Sequence, residues 1–267
     1  MTSGGGTTGW CRRVSTGDRR GPAGDPPRRR TAKPGRGTWT LVSRRQSTYS
    51  LLPIPYSLFP VGLVPSPSKI VCVGRNYLEH ARELGNDVPE RPLIFLKPSS
   101  ALVADGEAIV LPPESAQVEH EGEIAIVIGR RARRVSAADA WDYVAGIAPL
   151  NDVTARDLQK PDGQWTRAKG FDTFCPLGAM KPLAEVDRDD LSVICRVNGQ
   201  VRQQGHASQM AFSIPVLIEY ISNVMTLEPG DVIATGTPAG ISRLHPGDVV
   251  EVEIPGVGII RNPVESA

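Results

Sequence analysis

The sequence predicts an α+β fold dominated by β-structure, and three observations carry that expectation. Two Pro-Gly-Asp turns, at 229–231 and 246–248, each precede an alternating apolar run. Asn198-Gly199 lies between two strand-like runs in "LSVICRVNGQVRQQG", a strong hairpin signal. Helical periodicity is confined to a few segments, so the regular strand–helix alternation of a doubly wound sheet is missing.

The chain divides by composition. Its formal charge is +1, yet residues 1–50 hold 11 basic and two acidic side chains while the remainder holds 19 basic and 27 acidic ones. The head is rich in Gly, Pro, Ser, Thr and Arg, so it buries too little apolar surface to offset the entropy of ordering. Residues 1–65 are therefore expected to be a disordered basic head with an extended lead-in, and residues 66–267 a folded body. A nucleic-acid arm is not expected, because no aromatics interleave with the arginines. An Arg-rich, acid-poor head also matches a mitochondrial transit peptide, but its Gly and Pro oppose the required amphipathic helix. A dispensable tail is the plainer reading. "LLPIPYSLFPVGLVP" (51–65) contains four prolines and is no membrane helix. Cys11, Cys72, Cys175 and Cys195 form no CxxC pair, which argues against a zinc knuckle. Reduced thiols and a cytoplasmic location follow as the default.

In order along the body, "SKIVCVG" is a short strand ending at Gly74, with Cys72 as a small core residue. "YLEHARELG" (77–85) is helical and stops at Gly85. His80 and Glu83 share one face of it. "RPLIFLKPSSALV" continues as strand and turn. Ser136 with Asp139 predicts a capped helix through Val144. "SIPVLIEYISNVMTL" is one amphipathic helix, with Ser213 as cap and Pro215 in its first turn.

One strand poses a question. "VEHEGEIAIVIG" (118–129) reads as half-buried, with Ile124, Ile126 and Ile128 on one face and Glu119, Glu121 and Glu123 on the other. Two like charges about 4 Å apart repel by roughly 4 kcal/mol at an effective dielectric of 20. A solvated face tolerates them, but Ala125 and Val127 on the same face point to an enclosed site, where a proton or a cation must intervene. Three further segments stand out. "LNDVTARDLQ" (150–159) carries Asp152, Arg156 and Gln159, and by itself reads as a solvated helix start capped by Asp152 or Thr154. Lys169 lies between small and aromatic residues in "WTRAKGFDTFCPLG", where a snorkelling surface lysine is the alternative. "IATGTPAG" (233–240) ends a strand with hydroxyls and amides suited to a carboxylate.

Taken together, "CVGRNYLEHARELG", "FLKPSSALV", "VEHEGEIAIVIG", "NDVTARDLQ", "WTRAKGFDTFCPLG", "VNGQVRQQG", "FSIPVLIEYIS" and "LEPGDVIATGTPAG" resemble the fumarylacetoacetate hydrolase family, in its acylpyruvase and oxaloacetate decarboxylase branch. The resemblance covers about residues 66–264. It implies the β-rich mixed sandwich or roll of that family's C-terminal domain. It also implies a divalent metal, Mg2+ or Mn2+ with Ca2+ as a further option, on Glu121, Glu123 and Asp152. Hard carboxylate oxygens suit such ions. The catalytic residues it implies are His80, Glu83, Lys169 and Gln159. Glu83 orients His80, while Lys169 and Gln159 meet developing negative charge. Arg156 and Thr237 are the implied substrate-binding residues, Arg156 alternatively holding a metal ligand. Without the resemblance, His80 reads as a surface histidine. Glu119 stands where relatives often carry His, and no ligand role is assigned to it. Arg75, Asn76 and Asp157 are read as scaffold.

The activity so implied is cleavage of a carbon–carbon bond in an acylpyruvate or related β-diketo acid, releasing pyruvate. Oxaloacetate decarboxylation and isomerisation of 2-hydroxyhepta-2,4-diene-1,7-dioate are the alternatives, because they share the enolate. A small 2-oxo acid substrate and a homodimer are expected, with no membrane or nucleic-acid partner. The connection "KPDGQ" between Gln159 and Trp165 is shorter than in some acylpyruvases, which leaves substrate size open.

Overall fold

The computed structural model describes residues 67–85, 87 and 89–267. The expectations for residues 1–65 lie outside the described residues.

The described residues open with β1 (Ile70–Gly74), the short helix α1 (Leu78–Glu83), β2 (Leu93–Lys97), β3 (Leu102–Val103) and β4 (Ile109–Leu111). Then come β5 (Val118–Glu119), β6 (Gly122–Ile128), β7 (Val144–Asn151), β8 (Thr154–Ala155), α2 (Arg156–Asp162) and α3 (Thr166–Lys169). The second half holds β9 (Cys175–Pro176), β10 (Lys181–Pro182), β11 (Ser192–Val197), β12 (Gln200–His206) and α4 (Ile214–Val224). It closes with β13 (Val232–Ala234), β14 (Val249–Ile254) and β15 (Gly258–Ser266). Two sheets dominate: a six-stranded one in the order β10-β7-β6-β13-β1-β2 and a five-stranded one in the order β12-β11-β14-β15-β4. The α+β, β-rich expectation holds.

Local chemistry accounts for several elements. Asn198 (φ 53°) and Gly199 (φ 74°) both take positive φ, as the two-residue turn joining β11 to β12 demands. In α4 the residues Ile214, Leu217, Ile218 and Ile221 are buried, so its apolar stripe faces the core. Gly85, at φ 66°, follows α1 and permits its left-handed exit.

Three expectations are corrected. The run 118–129 is not one half-buried strand. It breaks at His120-Glu121, and β6 is buried on both faces. Ile124, Ile126 and Ile128 join the main core, while Ala125 packs in a second cluster of mostly small residues with Cys72, Ala148, Cys175 and Ala234. The segment after Ser136 is a 3-10 helix, Ala137–Tyr143, not an α-helix. The Ser136 hydroxyl donates to Asp139 (2.7 Å) instead of capping a backbone N–H. Finally, α2 starts at Arg156 with Ala155 before it, so neither Asp152 nor Thr154 caps it. The Asp152 carboxylate turns inward, toward two lysines.

Candidate active site

The break in the acidic strand builds the site. The β6–β7 ladder ends at Gly122 opposite Asn151, and the β5–β8 ladder begins at Glu119 opposite Thr154. Between them Glu121 faces Asp152, held by the Asp152 N–H donating to Glu121 O (2.8 Å). The Asn151 side chain accepts from Glu121 N–H at 2.9 Å. This interruption frees both carboxylates from the pleat and aims them at one point. Glu123, two residues on, joins them, and carboxylate oxygens of Glu121, Glu123 and Asp152 all lie within 4.8 Å of one another. All three residues are buried.

Buried carboxylates need compensation. Lys169 Nζ donates to Glu121 and to Asp152, both at 2.7 Å. Lys97, also buried, donates to Asp152 at 2.6 Å and to Val153 O at 3.0 Å. Arg156 pairs with Glu121 and, at 2.7 Å, with Glu119. Glu119 therefore holds the arginine that holds Glu121. Burial disfavours ionised Glu121, but Lys169 and Arg156 outweigh it and keep its carboxyl below the usual range. Burial likewise opposes the Lys169 charge, yet Asp152 and Glu121 raise its pKa. Glu123 receives only the Gly236 N–H, at 2.7 Å, among the described residues. Burial, then Asp152 and Glu121, push its pKa well up. Four carboxyl groups thus face three cations, and Glu123 is the one left without a cation, where a proton or a metal ion must intervene. The three-carboxylate donor set and that missing positive charge both fit a hard divalent cation.

His80 is buried, not a surface histidine, at 4% exposure. Its Nδ1 lies 3.1 Å from Glu83 Oε2, and Glu83 Oε1 accepts from Gly240 N–H, also at 3.1 Å. A carboxylate can only accept, so Nδ1 carries the hydrogen, which in the neutral ring puts the lone pair on Nε2. Gln159 Oε1 accepts from Arg156 at 2.8 Å, which leaves its amide NH2 as the open end. The Thr237 hydroxyl donates to Gly122 O (2.9 Å) and accepts from Gln203 (2.7 Å), tying the strand end to the Thr-Gly-Thr-Pro turn. These side chains surround a cavity of about 270 Å³, walled on one side by Phe95 and Trp165. That volume is below the ~300–1,000 Å³ of pockets for drug-sized ligands, so the cavity suits only a small molecule. Eight of the nine residues singled out in the sequence line this cavity, and the ninth, Glu83, contacts His80.

Some contributors were missed. Lys97 looked like one more strand residue, and nothing local marks a lysine that will meet Asp152, 55 positions later. His120 bonds Gln203 and Ser242, both at 2.9 Å, and so braces the strand break. Gly74 admits the wall: a Cβ there would stand 2.7 Å from the Trp165 ring. Asn76 and Asp157 are scaffold as read, Asn76 joining Phe212 to Thr235 and Asp157 accepting from Ser115 and Ala116. Arg75 instead lines the cavity.

A β-rich fold that buries a carboxylate triad beside a small polar cavity is suited to holding a divalent cation and a small polar ligand. Sequence comparison agrees: the fumarylacetoacetate (FAA) hydrolase C-terminal family matches residues 69–265, and the chain belongs to that family. It is 45% identical to the mitochondrial oxaloacetate decarboxylase of Dictyostelium discoideum, over 71% of this chain and 89% of that one. It is also 45% identical to the mitochondrial oxaloacetate tautomerase of Bos taurus, over 73% of this chain and 91% of that one. Among solved structures, the 2-hydroxyhepta-2,4-diene-1,7-dioate isomerase of Mycobacterium marinum superposes with a TM-score of 0.70 at 47% identity, covering 77% of each chain.

Proposed function

We propose that this protein catalyses proton transfer and decarboxylation through the enolate of a small 2-oxo acid of the oxaloacetate type. The observation that carries the reading is the triad, one carboxyl of which has no cation partner among the described residues, opening on a cavity that also holds His80 and Lys169. The names of the relatives support tautomerase, decarboxylase and isomerase chemistry ahead of acylpyruvate cleavage.

Glu121, Glu123 and Asp152 would hold Mg2+ or Mn2+, which supplies positive charge for the carboxylate and 2-oxo oxygens of the substrate. The chain's own groups do the rest. Glu83 fixes the His80 tautomer, so Nε2 can take a proton from the carbon next to the 2-oxo group and return it to carbon or oxygen. Lys169 spends two N–H donors on Glu121 and Asp152 and keeps a third for the developing enolate oxygen. The Gln159 amide offers a second donor, held in register by Arg156. Phe95 and Trp165 limit water on one side.

Acylpyruvate hydrolysis is the second reading. The Glu83-oriented His80 favours it, because the same Nε2 can take a proton from water.

The test follows enol–keto conversion of oxaloacetate by absorbance and its pyruvate release, with acetylpyruvate alongside, in Mg2+ and in Mn2+. Both oxaloacetate reactions should be catalysed and acetylpyruvate cleaved slowly. His80→Ala should slow proton transfer about 10²–10⁴-fold, and Glu121→Ala should abolish all activity. Faster cleavage of acetylpyruvate than reaction of oxaloacetate would replace the first reading with the second. The proposal includes a homodimer, which sedimentation over a range of concentrations checks. For location it keeps the cytoplasm, with mitochondrial import as the alternative that the names of two relatives support. No helix among the described residues is long and apolar enough to cross a membrane.

A further inference from the structure

The cations at and around the cavity fall into two groups by burial. In its buried inner part every cation is matched: Lys97, Lys169 and Arg156 all bond carboxylates. Two more cations line the same cavity, Arg75 from the turn between β1 and α1, and Lys160 from α2. Neither guanidinium nor ammonium has a hydrogen bond or ion pair among the described residues.

Arg75 also occupies an expensive position. Its φ is 58°, in the left-handed region that non-glycine residues avoid. That conformation brings the Cβ close to the following carbonyl oxygen and is disfavoured for an L-residue. Glycine or asparagine would meet the backbone demand more cheaply, so the turn alone does not account for an arginine there.

We infer that Arg75 and Lys160 form a second anion subsite in this cavity, which takes the distal carboxylate of a 2-oxo dicarboxylate and rejects monocarboxylic analogues. The inference deepens the proposed function and rests on it for the enolisable end of the substrate. Charge supports the assignment. With a divalent cation on the triad, the inner part carries one net positive charge, which the substrate's own 1-carboxylate answers. Arg75 and Lys160 then add two positive charges with nothing among the described residues to meet them. A second carboxylate meets them, by paired N–H donors from the arginine and a point charge from the lysine.

Calorimetric titration of the full chain in Mg2+ tests this with 2-oxoglutarate and 2-oxopentanoate, which have the same carbon count and differ by the distal carboxylate. The diacid should bind about 10- to 100-fold more tightly, as charge-assisted bonds imply. Arg75→Asn, which tolerates the left-handed backbone, and Lys160→Met, on an exposed position of α2, should each shrink that ratio at least several-fold. Affinity for 2-oxopentanoate should not change. Arg75→Lys should keep part of the preference. A ratio near one in the parent, or one that neither variant moves, overturns the subsite, as does equal weakening of both ligands. The titration needs no turnover. Loss of the subsite with intact exchange of the C3 protons into D2O therefore sinks this inference alone. An intact ratio with no exchange in the parent sinks the proposed chemistry and leaves the subsite standing.

Discussion

The two large sheets bury their residues in opposite ways. In the five-stranded sheet β14 alternates: Val250, Val252 and Ile254 are buried while Glu251 and Glu253 reach solvent in part. One face meets the core and the other meets water. In the six-stranded sheet β6 and β13 are buried on both faces, between the main core and the small-residue cluster. A carboxylate can enter such a sheet only with a partner, so its acidic residues gather where the ladder breaks and cations reach them. The one-sided sheet keeps a solvated face for its charges, and the two-sided sheet supplies an enclosed site.

The sharpest way to break that contrast is to remove one cation from each sheet. Lys97→Met leaves Asp152 short of a buried partner and should cost about 3–5 kcal/mol by denaturant unfolding. Arg261→Met, which removes the largely exposed arginine paired with Glu251, should leave the midpoint unmoved.

Metal binding is the next largest effect. Mg2+ at a hundredfold excess over its Kd should stabilise the parent by about 2.7 kcal/mol, read as a rise in Tm that chelation reverses. Glu123→Gln should erase the rise, because it removes the one triad carboxylate that no protein cation pairs with among the described residues.

The buried thiols sharpen the comparison from the other side. Burial pushes Cys175, beside the site, and Cys195, in β11, up to about 12. Both thiols stay protonated in the folded chain while the unfolded chain loses their protons above its ordinary value of 9.0. Their contribution is thus complete below pH 9 and is lost as pH rises toward 12. Each should steepen the fall of stability by about 1.4 kcal/mol per pH unit in that window. Replacing either by Ala should remove the same slope, because burial is the leading cause in both.

A last comparison comes from one substitution made twice. Gly199→Ala forces a left-handed alanine into the hairpin turn, where a Cβ has open space, and should cost about 1–2 kcal/mol with kcat unchanged. Gly236→Ala meets the same backbone penalty at φ 100° and places a Cβ 2.7 Å from Asn76 Cβ. Its N–H serves Glu123, so activity should fall as well as stability.

Much of this was legible beforehand, and unevenly. The Asn198-Gly199 turn and α4 came out where the pattern placed them, because turn chemistry and a 3.6-residue period are local. The acidic strand was misread as half-buried, because an apolar residue on its second face looks the same against solvent as against another layer. Ser136-Asp139 misled for a related reason: the two side chains bonded each other. The cavity residues were found through their resemblance to a family, not through their spacing. Taken singly, His80 and Asp152 favoured bland readings that the folded chain does not support.

What the sequence determined by itself is the β-rich α+β class, the order of its elements and the carboxylates of the triad. These depend on neighbours within a few residues or on recognisable short motifs. Only the tertiary structure decided how those charges are balanced. Lys97 meets Asp152 across 55 positions, Arg156 meets Glu119 and Glu121 across 37 and 35, and Gln203 meets His120 across 83. Coulomb energy depends on distance in space and on the water excluded between the groups, and neither is written in local sequence.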